Sequence, residues 1–280
     1  GGQSVKSARW FGATAVLAVL CAGILPGQRA FSDGVLRLAI TTTFENSGLA
    51  EHLLPRFEAE TGIDVQPVVV GTGQALRLGR AGDVDAILVH SRAAEEAFIA
   101  RGFGDHRREI MYNDFVYLGP AADPAGLRSA DSATDALTRI ATSGAAFVSR
   151  GDDSGTHKKE LQLWSEAGRM PADFGRWYKP VGAGMGAALN TAAALDAYIL
   201  ADRASWLNFR NRRGLTLLFA GDRALFNQYT FIPVSRKHHP HVRADAAKTL
   251  ENWLISDRAK SLINNYQIKG EHLFVFNARQ

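Results

Sequence analysis

Short apolar runs and stretches of helical periodicity alternate along the chain. Residues 35–40 form an apolar run that is typical of a buried strand, and the stripe after it predicts a helix from about Ser47 to Gly62. Pro55 lies inside that stripe and should bend or split the helix. Residues 65–70 and 86–89 predict two more strands, each followed by a helix. Three strand–loop–helix units predict an α/β fold with a mostly parallel sheet flanked by helices.

A boundary signal separates this region from a second one. Residues 115–118 predict a strand that ends at Gly119-Pro120. Beyond it we expect helices near 135–142 and 156–167, and strands at 146–148, 215–219 and 229–234. Two further helices are expected in the tail, near 244–255 and 257–266. The second region therefore repeats the α/β pattern of the first.

The first thirty residues have the pattern of a secretory signal peptide. Lys6 and Arg9 precede an uncharged apolar run over residues 10–25, and Ala30-Phe31-Ser32 supplies small residues before a cut. The run is short for a membrane span, although a retained N-terminal anchor is the alternative interpretation. Cys21 follows Leu20 rather than a small residue, which favours an apolar signal residue over a lipoprotein cysteine. We expect residues 1–32 to be removed and the mature protein to be periplasmic or extracellular.

This expectation changes what the charge means. The chain has 32 basic and 28 acidic residues, a net charge of +4 and a pI near 9.3, which would suit nucleic acid or a membrane surface. Removing residues 1–32 removes three basic residues and no acidic one, so the net charge falls to +1. The single cysteine excludes an intrachain disulfide, and 46% hydrophobic residues exclude a disordered or fibrous chain. We expect no nucleic-acid partner and a monomer.

The strongest chemical signal is the turn at residues 149–158. Arg150 can form bidentate bonds to an oxyanion, Ser154 and Thr156 add hydroxyl donors, and Gly155 allows close backbone approach. The alternative is an ordinary helix cap by Asp153 or Ser154. Both can hold, because a cap and an anion site use the same N–H groups.

Three other turns follow predicted strands or open predicted helices. They are a hydroxyl cluster and two glycine turns: Thr41-Thr42-Thr43, Gly71-Thr72-Gly73 and Gly184-Met185-Gly186. Ligands of open parallel sheets bind at the carboxyl ends of strands, where helix N-termini present free N–H groups. Each turn alone is a weak signal, but together they predict loops that converge on one small polar ligand.

The sequence resembles the periplasmic tungstate-binding proteins of tungstate ABC importers. The matching stretches run in order through nearly the whole mature chain, at residues 41–43, 46–49, 70–76, 82–85, 111–115, 149–158 and 182–186. The most specific match is the segment Arg-Gly-Asp-Asp-Ser-Gly-Thr at 150–156. One departure is Phe44, where that family normally continues its triple threonine with a serine. If that serine donates a bond, this chain lacks one donor, unless a backbone N–H replaces it.

The resemblance implies a two-lobed type II periplasmic-binding-protein fold with the oxyanion held in the cleft. Lobe I would comprise residues 33–118 plus 230–280 and lobe II residues 119–229, joined by crossover strands near 115–118 and 229–234. The protein would be a binding component that delivers its ligand to a membrane permease, without a cofactor or metal and without enzymatic activity. The family's contact roles carry to Thr41, Thr42, Thr43, Arg150, Ser154 and Thr156, and the ligand-binding residues we expect in addition are Thr72, Gly155, Gly184, Met185 and Gly186.

Ligand chemistry leaves alternatives. Tungstate at neutral pH is fully deprotonated and needs only donors, whereas phosphate keeps a proton and benefits from an acceptor carboxylate. Because Asp152 and Asp153 could accept that proton, a phosphate-binding protein is the second hypothesis. The interpretation we prefer is structural: the two aspartates cap the helix and orient Arg150. Molybdate has the charge and shape of tungstate, so the residues do not separate the two.

Two other interpretations carry less weight. Ser154 and His157 are residue types of a hydrolase, but no nucleophile elbow accompanies them. His238, His239 and His241 flank a proline without a metal-ligand pattern and indicate a solvated loop. His90, directly after a predicted strand, is a weak candidate for a second layer behind the cleft.

Overall fold

A computed structural model describes residues 34–279; the predicted signal peptide at 1–32 lies outside these residues. The described strands are β1 (Val35–Thr41), β2 (Asp64–Val70), β3 (Ala86–Val89), β4 (Arg108–Pro120), β5 (Phe147–Ser149), β6 (Tyr178–Pro180), β7 (Tyr198–Asp202), β8 (Leu215–Phe219), β9 (Phe226–Pro233), β10 (Gln267–Ile268), β11 (Glu271–His272) and β12 (Val275–Phe276). The described α-helices are α1 (Thr42–Asn46), α2 (Leu49–Thr61), α3 (Thr72–Ala81), α4 (Arg92–Ala100), α5 (Ala133–Ser143), α6 (Gly155–Glu166), α7 (Met185–Leu195), α8 (Arg203–Asn208), α9 (Ala244–Leu254) and α10 (Asp257–Asn265).

One long strand organises the main sheet, whose order is β2-β1-β3-β9-β4-β7-β5-β6. The beginning of β4, up to Asp114, pairs with β9, and its end, from Phe115, pairs with β7 and β8. We call β2, β1, β3, β9, β12 and the beginning of β4 the first half-sheet, and the end of β4 with β7, β8, β5 and β6 the second half-sheet. At the change of neighbours, Arg203 Nε and Nη2 donate to the two carboxylate oxygens of Asp114, both at 2.7 Å.

Each half-sheet has a parallel core. β1 pairs parallel with β2 and β3, and β5 pairs parallel with β6 and β7, whereas β4 and β9 pair antiparallel with their neighbours. The predicted α/β class is confirmed, with a mixed sheet. The carboxyl ends of β1, β3 and β5 each lead toward a helix, which is the geometry that concentrates ligand contacts.

The apolar patterns form the core as predicted. In β1, Leu36 and Ile40 are fully buried, and the α2 stripe covers them with Leu53 and Phe57. Each such side chain contributes roughly 1.5–3 kcal/mol when it is fully buried. A separate apolar cluster around Trp164 lies under the helices of the second half-sheet. The cluster that contains the β1 and α2 side chains also includes side chains from the end of β4, from β5 and from β7, so one apolar core extends across both half-sheets.

Two predicted details need correction. α2 continues through Pro55 without a split; Pro55 and Glu51 are exposed, so water can bond the Glu51 carbonyl that loses its helix partner. The segment after β1 is not a loop, because the Thr41 hydroxyl accepts the Phe44 N–H and so caps the short helix α1.

The division into lobes at 118/119 and 229/230 stays a prediction, as do the crossover strands. β4 changes partners a few residues before the first predicted bound, between Asp114 and Phe115. No helix within residues 34–279 is both long and apolar enough to cross a bilayer.

Candidate functional site

The first polar turn lies at the carboxyl ends of β1 and β3. Thr41 Oγ1 and Thr43 Oγ1 are 3.3 Å apart, and His90 Nε2 lies 3.2 Å from the first and 3.3 Å from the second. The two hydroxyls and the ring nitrogen thus form a closed triangle, which we call the Thr–His triangle. Neighbouring Thr42 is exposed and takes no part in it.

His90 in this triangle is neutral. Its ring is densely surrounded and lies 4.8 Å from the ring of Tyr229, although the residue keeps some exposed surface at a cavity wall. Burial lowers the pKa of His90 from 6.5 to about 4, in spite of hydrogen bonds that favour the charged ring. The imidazole therefore acts through a single N–H and a single lone pair.

The second polar turn lies between β5 and α6 and carries the cation. Arg150 Nη2 donates to Asp152 Oδ2 at 2.6 Å, and Arg150 Nε donates to the Ala183 carbonyl at 3.4 Å. The Arg150 side chain is only 11% exposed. Nη1 has no hydrogen-bond acceptor among residues 34–279. Two of the guanidinium nitrogens therefore hold the side chain in place, and the N–H groups of the third stay available.

Asp152 orients this arginine. Its Oδ1 accepts the Ser154 N–H at 3.2 Å while Oδ2 accepts from Arg150. Burial alone would raise the pKa of Asp152, but the bonds from Ser154 and Arg150 together lower it. The carboxylate is therefore ionised, and both of its oxygens accept hydrogen bonds. Its bond to Arg150 agrees with the prediction that this aspartate orients the arginine.

Ser154, not Asp153, caps helix α6. Ser154 Oγ accepts the His157 N–H at 3.2 Å, whereas Asp153 sits in the left-handed region with φ of 59° and donates its N–H to His157 Nδ1. The hydrolase pair is not formed, because the His157 nitrogen accepts from the backbone and the serine oxygen serves as the cap. The arrangement lacks the base–nucleophile bond that activation of a serine needs.

The two turns meet across an open cavity of about 910 Å³. Gly155 lies so close to His90 that a methyl group built on it would stand 3.2 Å from the imidazole Cε1. Three helix N-termini line the cavity through residues 71–74, 91–93 and 153–155, and thus turn free N–H groups and positive dipole ends toward it.

The cavity wall is rich in positive charge. Five basic side chains line it against two acidic ones: Arg77, Arg92, Lys158, Lys159 and Arg223, with Glu96 and Asp153. Arg92 is paired with Glu96 at 2.8 Å, and both are exposed. The remaining cations favour an anionic ligand.

Only some of the predicted site residues line the cavity. Thr72, Ser154 and Gly155 line the cavity, whereas Arg150 lies behind its wall. Thr41 and Thr43 do not line it either, but both contact His90, which does. Arg150 is tied to the turn before α7 because its carbonyl accepts the N–H groups of residues 182 and 183. Gly184 and Gly186 are exposed beside it, whereas the Met185 side chain is 8% exposed in the core, which leaves it only a backbone contact.

Thr156 differs from the other predicted donors. It is 3% exposed, and its hydroxyl has no hydrogen-bond partner among the described residues. A buried polar group without a partner costs about 1–3 kcal/mol, so this hydroxyl is a candidate for a ligand contact.

The Phe44 side chain lies in the apolar core and not among the polar groups of the first turn. It is 2% exposed and packs against Tyr229 and Phe274 with ring centroids 5.4 and 6.3 Å away. Its backbone N–H already donates to Thr41 Oγ1 at 3.3 Å. Position 44 therefore stabilises the core and the α1 cap, and its N–H is engaged.

Residues 34–279 contain no cluster of three or more His, Cys, Asp or Glu side chains able to hold a metal ion. The imidazoles of His239 and His241 instead donate to the carbonyls of Arg80 and Gly82 at the end of α3, each at 2.7 Å. These histidines stabilise a helix C-terminus, a use that the sequence did not predict.

Some cavity residues escaped the sequence-based prediction. They are Arg77, Lys158, Arg223 and Asn227. Three of them lie in ordinary helices or strands, and Arg223 begins a short 3-10 turn before β9. Only Lys158 belonged to a quoted motif, and nothing in its spacing distinguished it from a solvated helix residue.

Known proteins resemble this chain over nearly its whole length. The family model of the PBP superfamily domain matches residues 29–258. Tungstate-binding protein TupA of Peptoclostridium acidaminophilum is 44% identical over 255 residues, which cover 90% of this chain and 88% of the relative. The solved structure of tungstate-binding protein TupA from Desulfovibrio alaskensis is 42% identical with a TM-score of 0.83, covering 88% of this chain and 100% of that chain. The crystal structure of the tungstate ABC transporter from Geobacter sulfurreducens is 44% identical with a TM-score of 0.74, covering 84% of this chain and 100% of that chain.

Proposed function

This chain belongs to the PBP superfamily and, within it, to the family of tungstate-binding proteins, and on that premise we propose that it captures tungstate or molybdate in the cavity between its half-sheets. The proposed ligand-binding residues are Thr41, Thr42, Thr43, Thr72, Arg150, Ser154, Gly155, Thr156, Gly184, Met185 and Gly186. The family is one of binding components of transporters rather than enzymes, as the sequence predicted.

The observation that carries the proposal is the concentration of donors around one held cation. Arg150 keeps donors beyond those bound by Asp152 and the Ala183 carbonyl, and the nearby α6 N-terminus adds backbone N–H groups. The buried hydroxyl of Thr156 lacks a partner in the same turn. A tetrahedral dianion has four acceptor oxygens and satisfies donors of this kind through charge-assisted bonds.

The same geometry disfavours the phosphate alternative. A phosphate that keeps a proton needs an acceptor, and the best-placed carboxylate, Asp152, is held by Arg150 and the Ser154 N–H. Asp153 is 86% exposed and lies beside Lys158 at 4.0 Å. Donors therefore dominate the turn, which suits a fully deprotonated anion.

Export and delivery are part of the proposal. The pattern of residues 1–32 supports a periplasmic location, and the similarity to the tungstate ABC transporter structure from Geobacter sulfurreducens supports a membrane permease as the partner. Closure of the half-sheets over the anion would exclude water and strengthen the charge-assisted bonds.

Calorimetric titration with tungstate, molybdate, sulfate and phosphate tests the proposal. We expect tight 1:1 binding of tungstate or molybdate and much weaker binding of sulfate and phosphate. An absence of binding heat with both tungstate and molybdate, confirmed by an unchanged thermal midpoint, would exclude the proposed ligand. Stronger binding of phosphate than of tungstate or molybdate would favour the alternative, a phosphate-binding protein.

A further inference from the structure

The location of the imidazole proton in the Thr–His triangle determines how the two threonine hydroxyls can bond to a ligand. Its three polar atoms, Thr41 Oγ1, Thr43 Oγ1 and His90 Nε2, are mutually within 3.2–3.3 Å. Each hydroxyl carries one proton, and a neutral imidazole carries one proton on either Nδ1 or Nε2. The position of that ring proton decides how many hydroxyl protons remain for a ligand.

The two ring tautomers give different donor counts. If Nε2 lacks a proton, its enclosed lone pair requires a bond from Thr41 or Thr43, and that hydroxyl has no proton left for a ligand. If Nε2 carries the proton, it donates to both hydroxyl oxygens in a three-centre bond, and both hydroxyl protons stay available. The second tautomer therefore doubles the donors of this turn.

Thr41 has no acceptor capacity left in that arrangement. Its oxygen accepts the Phe44 N–H at 3.3 Å as the cap of α1. A further bond from His90 Nε2 uses the second lone pair of the hydroxyl oxygen. Thr41 can then only donate to a ligand, so it can bind an unprotonated oxygen but cannot accept the proton of an anion that keeps one.

The ring is held from several sides. It packs against Tyr229 at 4.8 Å, and Gly155 from the α6 N-terminus approaches it where any side chain would be within 3.2 Å of Cε1. Burial keeps the ring neutral by lowering the pKa of His90 to about 4. The imidazole thus contributes orientation rather than charge.

We propose that His90 is a positioning residue that donates its Nε2 proton to Thr41 and Thr43, so that both hydroxyls donate to the bound oxyanion and discriminate against anions that retain a proton. This inference rests on the proposed function, because it assigns the selectivity of the same site. The sequence alone left His90 as a weak candidate behind the cleft.

Two substitutions at position 90 separate donation from ring volume. His90→Gln retains an amide N–H able to reach the triangle, and we expect tungstate affinity within about threefold of wild type. His90→Leu removes the donor, and we expect at least a tenfold loss, about 1.4 kcal/mol, with a narrower preference for tungstate over phosphate. His52→Leu on α2, where the imidazole is partly buried but does not line the cavity, is the matched control.

A double-mutant cycle with Thr43→Val tests whether His90 acts through the hydroxyl. If it does, His90→Leu costs less affinity in the Thr43→Val background than in wild type, because the hydroxyl to be oriented is already gone. Additive losses would contradict the proposed route and indicate a merely structural role.

The tautomer is measured in the wild-type protein, so the inference stays testable even where a variant fails to fold. Long-range ¹H–¹⁵N correlation spectra with tungstate bound should show a protonated Nε2 and a free Nδ1, with His90 assigned by comparison with His90→Gln. A protonated Nδ1 with an unprotonated Nε2 in the loaded protein would overturn the inference. So would wild-type affinity and selectivity in His90→Leu, whereas failure of wild type itself to bind tungstate would refute the proposed function instead.

Discussion

The two polar turns that face each other across the cavity are built on opposite principles. The Thr–His triangle of the first half-sheet carries no net charge and has a neutral imidazole at its centre. The turn of the second half-sheet carries the Arg150 guanidinium, held by an ionised Asp152. In the proposed site, the first turn would supply oriented neutral donors and the second would supply charge.

The difference shows how a cavity can attract a dianion without holding it by charge alone. A fully cationic cleft would attract any dianion, because charge attraction depends on net charge and not on whether one of the oxygens carries a proton. Neutral donors with filled acceptor positions discriminate instead by proton count and geometry. We expect substitutions in the second turn to change affinity most and those in the first to change selectivity.

Arg150→Ala is expected to cause the largest loss of tungstate affinity, at least tenfold or about 1.4 kcal/mol. The variant removes the cation and leaves Asp152 without its partner. Calorimetric titration measures the loss, and Arg128→Ala on the exposed surface of the second region serves as a control. Unchanged affinity would show that the charge of the site lies elsewhere.

Asp152→Asn is expected to reduce affinity by a smaller factor, about fivefold, which is on the order of 1 kcal/mol. Arginine remains, but the charged partner that orients it is gone, while the amide oxygen can still accept the Ser154 N–H. If phosphate binds this variant no worse than tungstate, Asp152 also contributes to selectivity, and the division between the two turns breaks down.

The depressed pKa of Asp152 gives this variant a pH signature. Because its folded pKa lies below the ordinary 3.8, the carboxylate contributes stability above that value and loses it as the pH falls through the folded pKa. Urea unfolding at pH 7 and pH 3 should show a smaller pH-dependent loss in Asp152→Asn than in wild type. Parallel profiles would mean that the ion pair does not stabilise the fold.

Gly155→Ala tests the contact between the two turns, with an expected loss of about threefold, on the order of 0.6 kcal/mol. The added methyl group would stand 3.2 Å from His90 Cε1 and push the ring from the triangle. The backbone of Gly155 is not in the left-handed region, so alanine should fold well there. Gly214→Ala, on an exposed loop with no close neighbour under 3.9 Å, is the matched control.

Lys158→Gln should have the smallest effect, about a twofold slower association at low ionic strength. Lys158 is half-exposed at the cavity wall, where it acts on the approach of the anion rather than on the bound state. Stopped-flow measurements at low and high salt check this, since the difference from wild type should vanish as salt screens the charge. A faster dissociation rate in the variant would instead point to direct contact of Lys158 with the bound anion.

Local patterns predicted much of the fold. β3 has the bounds that its apolar run indicated, and α3 ends at Ala81, followed by Gly82 as a left-handed C-cap with φ of 73°. β7 escaped prediction, and β4 extends well before its predicted start, because Arg108 and Asp114 interrupt the apolar pattern there. Both strands are defined by partners distant in sequence, which no local window contains.

The sequence by itself determined the α/β class and the hydroxyl- and glycine-rich turns, and it predicted that an aspartate orients Arg150. These features depend on residue type and short spacing, which set backbone preferences and helix caps. Only the tertiary structure joined Thr41 and Thr43 to His90, which is 49 and 47 residues away, and brought Gly155 against the same ring. That meeting depends on how strands β1 and β3 pair and how α6 packs across the cavity, and such non-local packing has no signature in a single stretch of sequence.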